Sequence, residues 1–139
     1  MLSEQPERPR LSGRPIILGA AAVVSLAALA LALTLGAWAY EYRRLSMHEG
    51  RLTNLVKKRP TVSQTSQALA DEGWTQVAAD VEDATLAKLF GEAPPPRVAE
   101  VRVKRAKWPT ARVFADDDLV YVLFFDADGK AADWSLLKR

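Results

Sequence analysis

The stretch LVYVLFFDADGKAADWSLL, Leu119–Leu137, decides how the second half of this chain folds. Seven apolar residues, Leu119–Phe125, run into Asp126-Ala127-Asp128-Gly129, and an alternating run, Ala132–Leu137, follows. The acidic core invites a calcium reading. An EF-hand loop takes oxygen ligands at positions 1, 3, 5 and 12 and glycine at position 6. With Gly129 at position 6, Asp128 and Asp126 fall at positions 5 and 3, but position 1 is Phe124 and position 12 is Ser135. The ligand set fails, and both flanks read as strands. Asp-Gly between two apolar runs is a hairpin signal. Leu119–Phe125 is apolar on both faces, which predicts a central strand covered by helices on at least one side.

Upstream, Thr61 with Gln64 forms a capping-box pattern, and the segment to Asp71 or Glu72 reads as a helix stopped by Gly73. After WTQVAAD, Trp74–Asp80, a second short helix is expected, capped by Asp80 or Asp83. Leu86, Leu89 and Phe90 give it an apolar face, and Gly91 stops it. Pro94-Pro95-Pro96 predicts an extended connector. In AEVRVK, Val101 and Val103 alternate with Glu100, Arg102 and Lys104, the pattern of a half-buried strand. ARVF, Ala111–Phe114, reads as a further strand, and Asp116-Asp117-Asp118 as a solvated bend. Residues 61–139 are therefore expected to form a small two-layer α+β domain, two short helices packed on a three- to four-stranded antiparallel sheet.

The N-terminal half has another character. Residues 16–40, IILGAAAVVSLAALALALTLGAWAY, contain no charge. A helix of that length reaches roughly 37 Å, enough to cross a hydrocarbon core of about 30 Å. The run exceeds the roughly 7–15 residues of a signal-peptide core, so an uncleaved signal-anchor is preferred over cleavage at Ala37-Trp38-Ala39. Trp38, Tyr40 and Tyr42, with Arg43 and Arg44 beside them, form the expected interfacial anchor. Ala21, Ser25, Ala28, Ala32 and Gly36 recur at three- and four-residue spacing, which reads either as a packing stripe for helix self-association in a membrane or as alanine filling an Ala/Leu-rich anchor. Residues 1–15 read as a disordered tail, with Pro15 at the first helical turn. Residues 41–60 read as a basic juxtamembrane helix or linker with Leu45, Leu52, Leu55 and Val56 on one side, ended by Pro60. His48 stands there without an acidic or second histidine partner and is expected at the surface.

The net charge of +2 hides three zones: residues 1–14 sum to +1, residues 40–60 to +4 and residues 61–139 to −3. The cations thus form a collar beside the apolar run, suited to lipid phosphates, while the acidic domain weighs against nucleic acid. VRVKRAKWPTAR, Val101–Arg112, is the basic patch within the domain and is expected on an edge strand. Three Lys or Arg lie within about 15 residues of each end of the apolar run, and the short arginine-bearing tail favours a cytoplasmic N-terminus with the domain outside. The chain has no cysteine, which removes disulfides, thiolate metal sites and lipidation through cysteine. No Gly-rich phosphate loop or nucleophile elbow occurs, and no catalytic residue, metal or cofactor is assigned.

Thr85–Pro94, TLAKLFGEAP, and the Phe124–Gly129 stretch resemble short motifs of the BamE (SmpA/OmlA) outer-membrane assembly lipoprotein family. The resemblance covers residues 62–137. It implies a helix closing on glycine, an antiparallel sheet whose central strand leads to a Phe-Asp-x-x-Gly turn, and a scaffolding role. The family's lipidated cysteine is absent, and Glu82-Asp83-Ala84 replaces its Gly-Met-Thr entry, so no functional residue transfers. The expected function is that of a non-enzymatic, single-pass (bitopic) accessory protein. It would dock on a membrane or envelope complex, at the inner membrane if the source is bacterial. The alternative is a membrane-tethered helix-turn-helix protein, with TVSQTSQALADEGWTQVAADV, Thr61–Val81, supplying both helices on the cytoplasmic side.

Overall fold

A computed structural model describes residues 14–91 and 94–139. The elements are α1 (Arg14–Lys57), α2 (Val62–Asp71), β1 (Thr75–Ala78), α3 (Asp83–Phe90), α4 (Val98–Lys107), β2 (Thr110–Ala115), β3 (Leu119–Phe125) and β4 (Ala131–Lys138). The expected tail, residues 1–15, lies outside the described residues except for Arg14 and Pro15, which begin α1. The chain divides into two compact units at Arg44/Leu45.

In the first unit, α1 is helical through the whole uncharged run, and its large side chains stand exposed, from 76% at Ile16 to 55% at Leu29 and Leu35. Thr within a helix can bond back to the carbonyl four residues earlier. The Thr34 hydroxyl accordingly donates to the Ala30 carbonyl at 2.8 Å.

The second unit is built on an antiparallel sheet in the order β1-β2-β3-β4. All seven residues of β3 are buried. Because successive side chains point to opposite faces, β3 demands cover on both. On one face Val120, Val122 and Phe124 join Val113 of β2 and Leu137 of β4 under Leu86 of α3 and Val98 and Val101 of α4. On the other, Leu119, Tyr121, Leu123 and Phe125 join Phe114 and Leu136 under Leu69 of α2 and Leu52 of α1. Leu45, Leu55, Val56 and Trp134 pack around that second cluster. The domain is thus a three-layer arrangement and not the expected two-layer one, with helices on each face of a four-stranded sheet.

One expectation is corrected here and another is narrowed. Residues 98–107 form α4, not a strand: Val98 and Val101 are buried while Val103 is 71% exposed. The four-residue alternation Val-Arg-Val-Lys imitated a strand, but over the longer window the inward positions are Val98, Val101, Arg105 and Trp108, a helical spacing. Of the two readings given to residues 41–60, helix or linker, residues 41–57 take the helical one as the continuation of α1. Leu52 is fully buried, so the end of α1 is a core helix of the second unit. In addition, Thr75–Ala78, within the stretch between the two expected helices, pairs with β2 as a strand. The helix-turn-helix reading of Thr61–Val81 therefore loses its second helix.

The α2 cap matches expectation: Thr61 Oγ1 accepts from Gln64 N at 3.2 Å, and Gln64 Oε1 accepts from Thr61 N at 3.1 Å. The cap of α3 differs. Glu82 holds the N-cap position without a side-chain bond, Asp83 lies in the first turn, and Asp80 turns away to pair with Arg105. Gly91 ends that helix as expected.

Asp126-Ala127-Asp128-Gly129 is the turn between β3 and β4. Asp126 Oδ1 accepts from Asp128 N and Lys130 N, each at 3.0 Å, and Gly129 takes φ 73°, open to glycine without Cβ strain. The turn also acts as a clasp. Arg59 donates to Asp126 Oδ2 at 2.6 Å, Ala131 N to Pro60 O at 2.8 Å, and Val62 N to Gly129 O at 3.2 Å. The connector from α1 to α2 is thereby fixed to the hairpin.

Truncating Leu52 in the full chain removes a fully buried side chain and should cost about 2–5 kcal/mol. Met47→Ala, at an exposed position of the same helix, should stay within about 0.5 kcal/mol. Denaturant unfolding in mild detergent, followed by the fluorescence of buried Trp74, measures both; equal, negligible effects would return residues 45–57 to a linker.

Candidate functional site

A cleft in the second unit lies between α1 and α2. Met47, Gly50, Arg51, Asn54, Leu55 and Lys58 line one wall of a cavity of about 530 Å³, and Ala68, Leu69 and Glu72 line the other. The α1 residues recur at three- and four-residue intervals, so one side of the helix forms the wall. Leu52 and Leu69 are buried beneath it, and Tyr121 of β3 reaches its floor from the sheet. Arg51 and Glu72 form an ion pair that joins α1 to α2. Lys58 has no ion pair among the described residues and is exposed.

Tyr121 anchors an aromatic group beside this cavity. Its ring stacks on Trp74 with centroids 3.7 Å apart and an interplanar angle of 23°. His48 meets both rings edge-on, 5.7 Å from Tyr121 and 5.9 Å from Trp74. Its Nδ1 shares a hydrogen bond with the Tyr121 hydroxyl. A phenol buried in an apolar face needs such a partner. His48 is therefore half-buried against the sheet and not the surface histidine expected. Its partner lies 73 positions away in sequence, beyond the reach of local pattern.

The basic patch Val101–Arg112 is spent on internal pairing. Arg105 grips Asp80 with Nε–Oδ1 at 2.6 Å and Nη2–Oδ2 at 3.0 Å. Lys104 bridges to Glu100 at 2.9 Å and Asp133 at 3.2 Å, and Arg102 to Asp83 at 3.1 Å. Lys104 also donates to the Trp134 carbonyl at 2.5 Å and Arg97 to the Leu136 carbonyl at 3.5 Å. These two bonds occupy carbonyls of β4, an outer strand of the sheet, a protection that exposed edges require.

The residues expected to act in the membrane lie in the first unit. Ala21, Ser25, Ala28, Ala32 and Gly36 are exposed and, at 100° per residue, share an arc of roughly 80° on α1. Trp38 and Tyr42 stack with centroids 5.7 Å apart. Tyr40 and Arg43 are exposed, and Arg44 approaches Glu41 at 3.9 Å. None of these residues lines the cavity; of its lining, the sequence marked Leu52 and Leu55 as an apolar side, Arg51 and Lys58 as part of the basic collar and Gly50 as a weak point of the helix, but nothing joined them to Ala68, Glu72 or Tyr121. Among the described residues no group of three or more His, Asp or Glu side chains converges as a metal site.

No family model, curated protein or solved structure matches this chain.

Asp80 and Asp126 carry shifted titration. Hydrogen bonds from Arg105 hold the Asp80 carboxyl below its ordinary range, against the opposing pull of burial. The Lys130 N–H does the same for Asp126, also against burial and with help from Arg59. A carboxylate depressed in the folded state stabilises above its unfolded pKa, and that contribution is lost as pH falls through the folded value. Asp80→Asn should thus cost about 1 kcal/mol at pH 7, as for a well-formed but solvent-screened pair. It should also flatten the acid limb of stability below about pH 4. Thermal melts of both proteins from pH 7 to pH 3 check this; parallel curves would contradict it.

Proposed function

We propose that this chain is a single-pass membrane protein whose α+β domain serves as an accessory or docking module for a membrane or envelope complex. The observation that carries the reading is the exposed apolar surface of α1 over residues 16–40. Soluble proteins rarely leave such a surface in contact with water, and a bilayer accepts it. A helix of this length and composition is a candidate span by those two properties. The stacked Trp38–Tyr42 pair and the cations Arg43 and Arg44 support an interface at its C-terminal end. The narrow small-residue arc supports self-association of the helix.

The domain's own features support a binding role. Its long hydrophobic strand is closed off on both faces, the Trp134 and Leu136 carbonyls of β4 are occupied, and the cleft between α1 and α2 carries both charged and apolar side chains. The resemblance of residues 62–137 to the BamE family belongs to the same reading. It is supported by α3 closing on Gly91 and by the Phe125–Gly129 turn after β3, although α4 stands between them where the resemblance supplies only sheet.

Three arginines, Arg8, Arg10 and Arg14, precede the apolar run and favour an N-terminus kept in the cytoplasm, with the domain on the far side. Fusing alkaline phosphatase to Arg139 in a bacterial host and washing the membranes with carbonate tests anchor and orientation together. The fusion should stay in the membrane pellet with active phosphatase. A carbonate-soluble fusion would overturn the anchor, and a pelleted but inactive one the orientation.

A further inference from the structure

The cavity between α1 and α2 contains a glycine that its helix does not need. Gly50 sits inside a continuous helix, where glycine costs about 1 kcal/mol relative to alanine. Two usual reasons for a glycine are missing. Its φ is not in the left-handed region, and a Cβ built on it meets nothing within 4 Å. What the missing side chain does is keep the cavity wall open, while α2 contributes the small Ala68 to the same lining.

The open space is long and chemically two-ended. From Met47 to Lys58 the wall runs about 16 Å along α1. Met47 and Leu55 supply its open apolar surface, above the buried Leu52, Leu69 and Tyr121. Arg51 and Glu72 neutralise each other, which leaves Lys58 as the unbalanced charge, with the Asn54 side chain one turn before it. About 530 Å³ is within the usual range for a small-molecule pocket of 300–1,000 Å³. A protein partner would instead need some 800 Å² on each side. A slot of mixed lining, apolar at Met47 and Leu55 and bordered by the ammonium of Lys58, suits a linear apolar tail with an anionic head.

We propose that this cleft binds one acyl chain of an anionic amphiphile, with Lys58 holding its phosphate or carboxylate head. The site goes beyond the anchor reading, because it is built entirely from residues 47–72 and Tyr121. An acyl chain inserted there would lie over Leu52 and Leu69, the α1 and α2 side chains buried on that face of the sheet. Occupancy would therefore bear on the packing of those two helices.

The test uses the full chain in phosphatidylcholine nanodiscs doped with a phosphatidylglycerol that carries a diazirine on its acyl chain, or in parallel with diazirine-labelled palmitate. After irradiation, labelled residues are mapped by mass spectrometry. Peptides carrying Gly50, Leu55 or Ala68 should be labelled by at least one probe; labelling by phosphatidylglycerol marks the bilayer as the source, and by palmitate alone a free acid. Gly50→Leu should fill the slot without unfolding the helix and reduce that labelling about tenfold, the equivalent of roughly two lost methylene burials. Ala68→Leu should act in the same direction from the opposite wall. Lys58→Gln should lower labelling about fivefold, the worth of one lysine at an anionic lipid. Labels within residues 16–40 should be unchanged by all three and report separately on the anchor. Absence of cavity labels, equal labelling of Gly50→Leu and the wild type, or equal labelling by a zwitterionic phosphatidylcholine probe of zero net charge would overturn the proposal.

Discussion

A strand that is apolar at every position cannot leave either face of its sheet in water, and the second unit of this chain is organised around that constraint. Antiparallel sheets often keep one solvated face; β3 forbids it. At about 1.5–3 kcal/mol for each large apolar side chain removed from water, leaving one face of β3 uncovered would consume most of a small domain's stability. Two short helices, α3 and α4, cover one side. On the other, α2 has only ten residues, and the remaining cover comes from the end of α1 through Leu45, Leu52, Leu55 and Val56.

That requirement gives the other features their roles. The β3–β4 turn does more than reverse the chain, since Asp126 and Gly129 hold the α1–α2 connector by side-chain and backbone bonds. The Arg51–Glu72 pair and the shared bond between His48 and Tyr121 tie α1 to α2 and to the sheet. Where α1 and α2 diverge over Leu52 and Leu69, small residues leave a slot instead of a filled core. The same helices thus close the sheet and frame the cavity on which the ligand proposal rests.

Much of this was legible in the sequence where the signal was local. The capping box at Thr61, the stops at Gly73 and Gly91, the turn at Asp126–Gly129 and the strands Ala111–Phe114 and Leu119–Phe125 depend on neighbours within a few residues. The apolar run of α1 was equally plain. Val101 and Val103 misled because a period of two over four residues is too short to separate strand from helix, and Pro94–Pro96 drew attention away from a helix starting at Val98. Thr75–Ala78 is a short, exposed strand with a register shift near Val77, which leaves little alternation to read. The candidate site was hidden for a different reason. Its walls and floor come from residues 47–58, 68–72 and 121, and what defines it is side chains that are small or missing. A glycine in a helix lowers confidence in the helix when read alone; only the packed structure shows the space it leaves.

The membership of α1's last turns in the domain core is the claim on which the fold and the cavity both stand, and amide hydrogen exchange on the full chain in detergent measures it most directly. Amides from His48 to Val56 should exchange as slowly as those of Val120–Phe124 and lose protection together with them in denaturant. Fast exchange beginning just after Arg44, with the sheet still protected, would contradict the account.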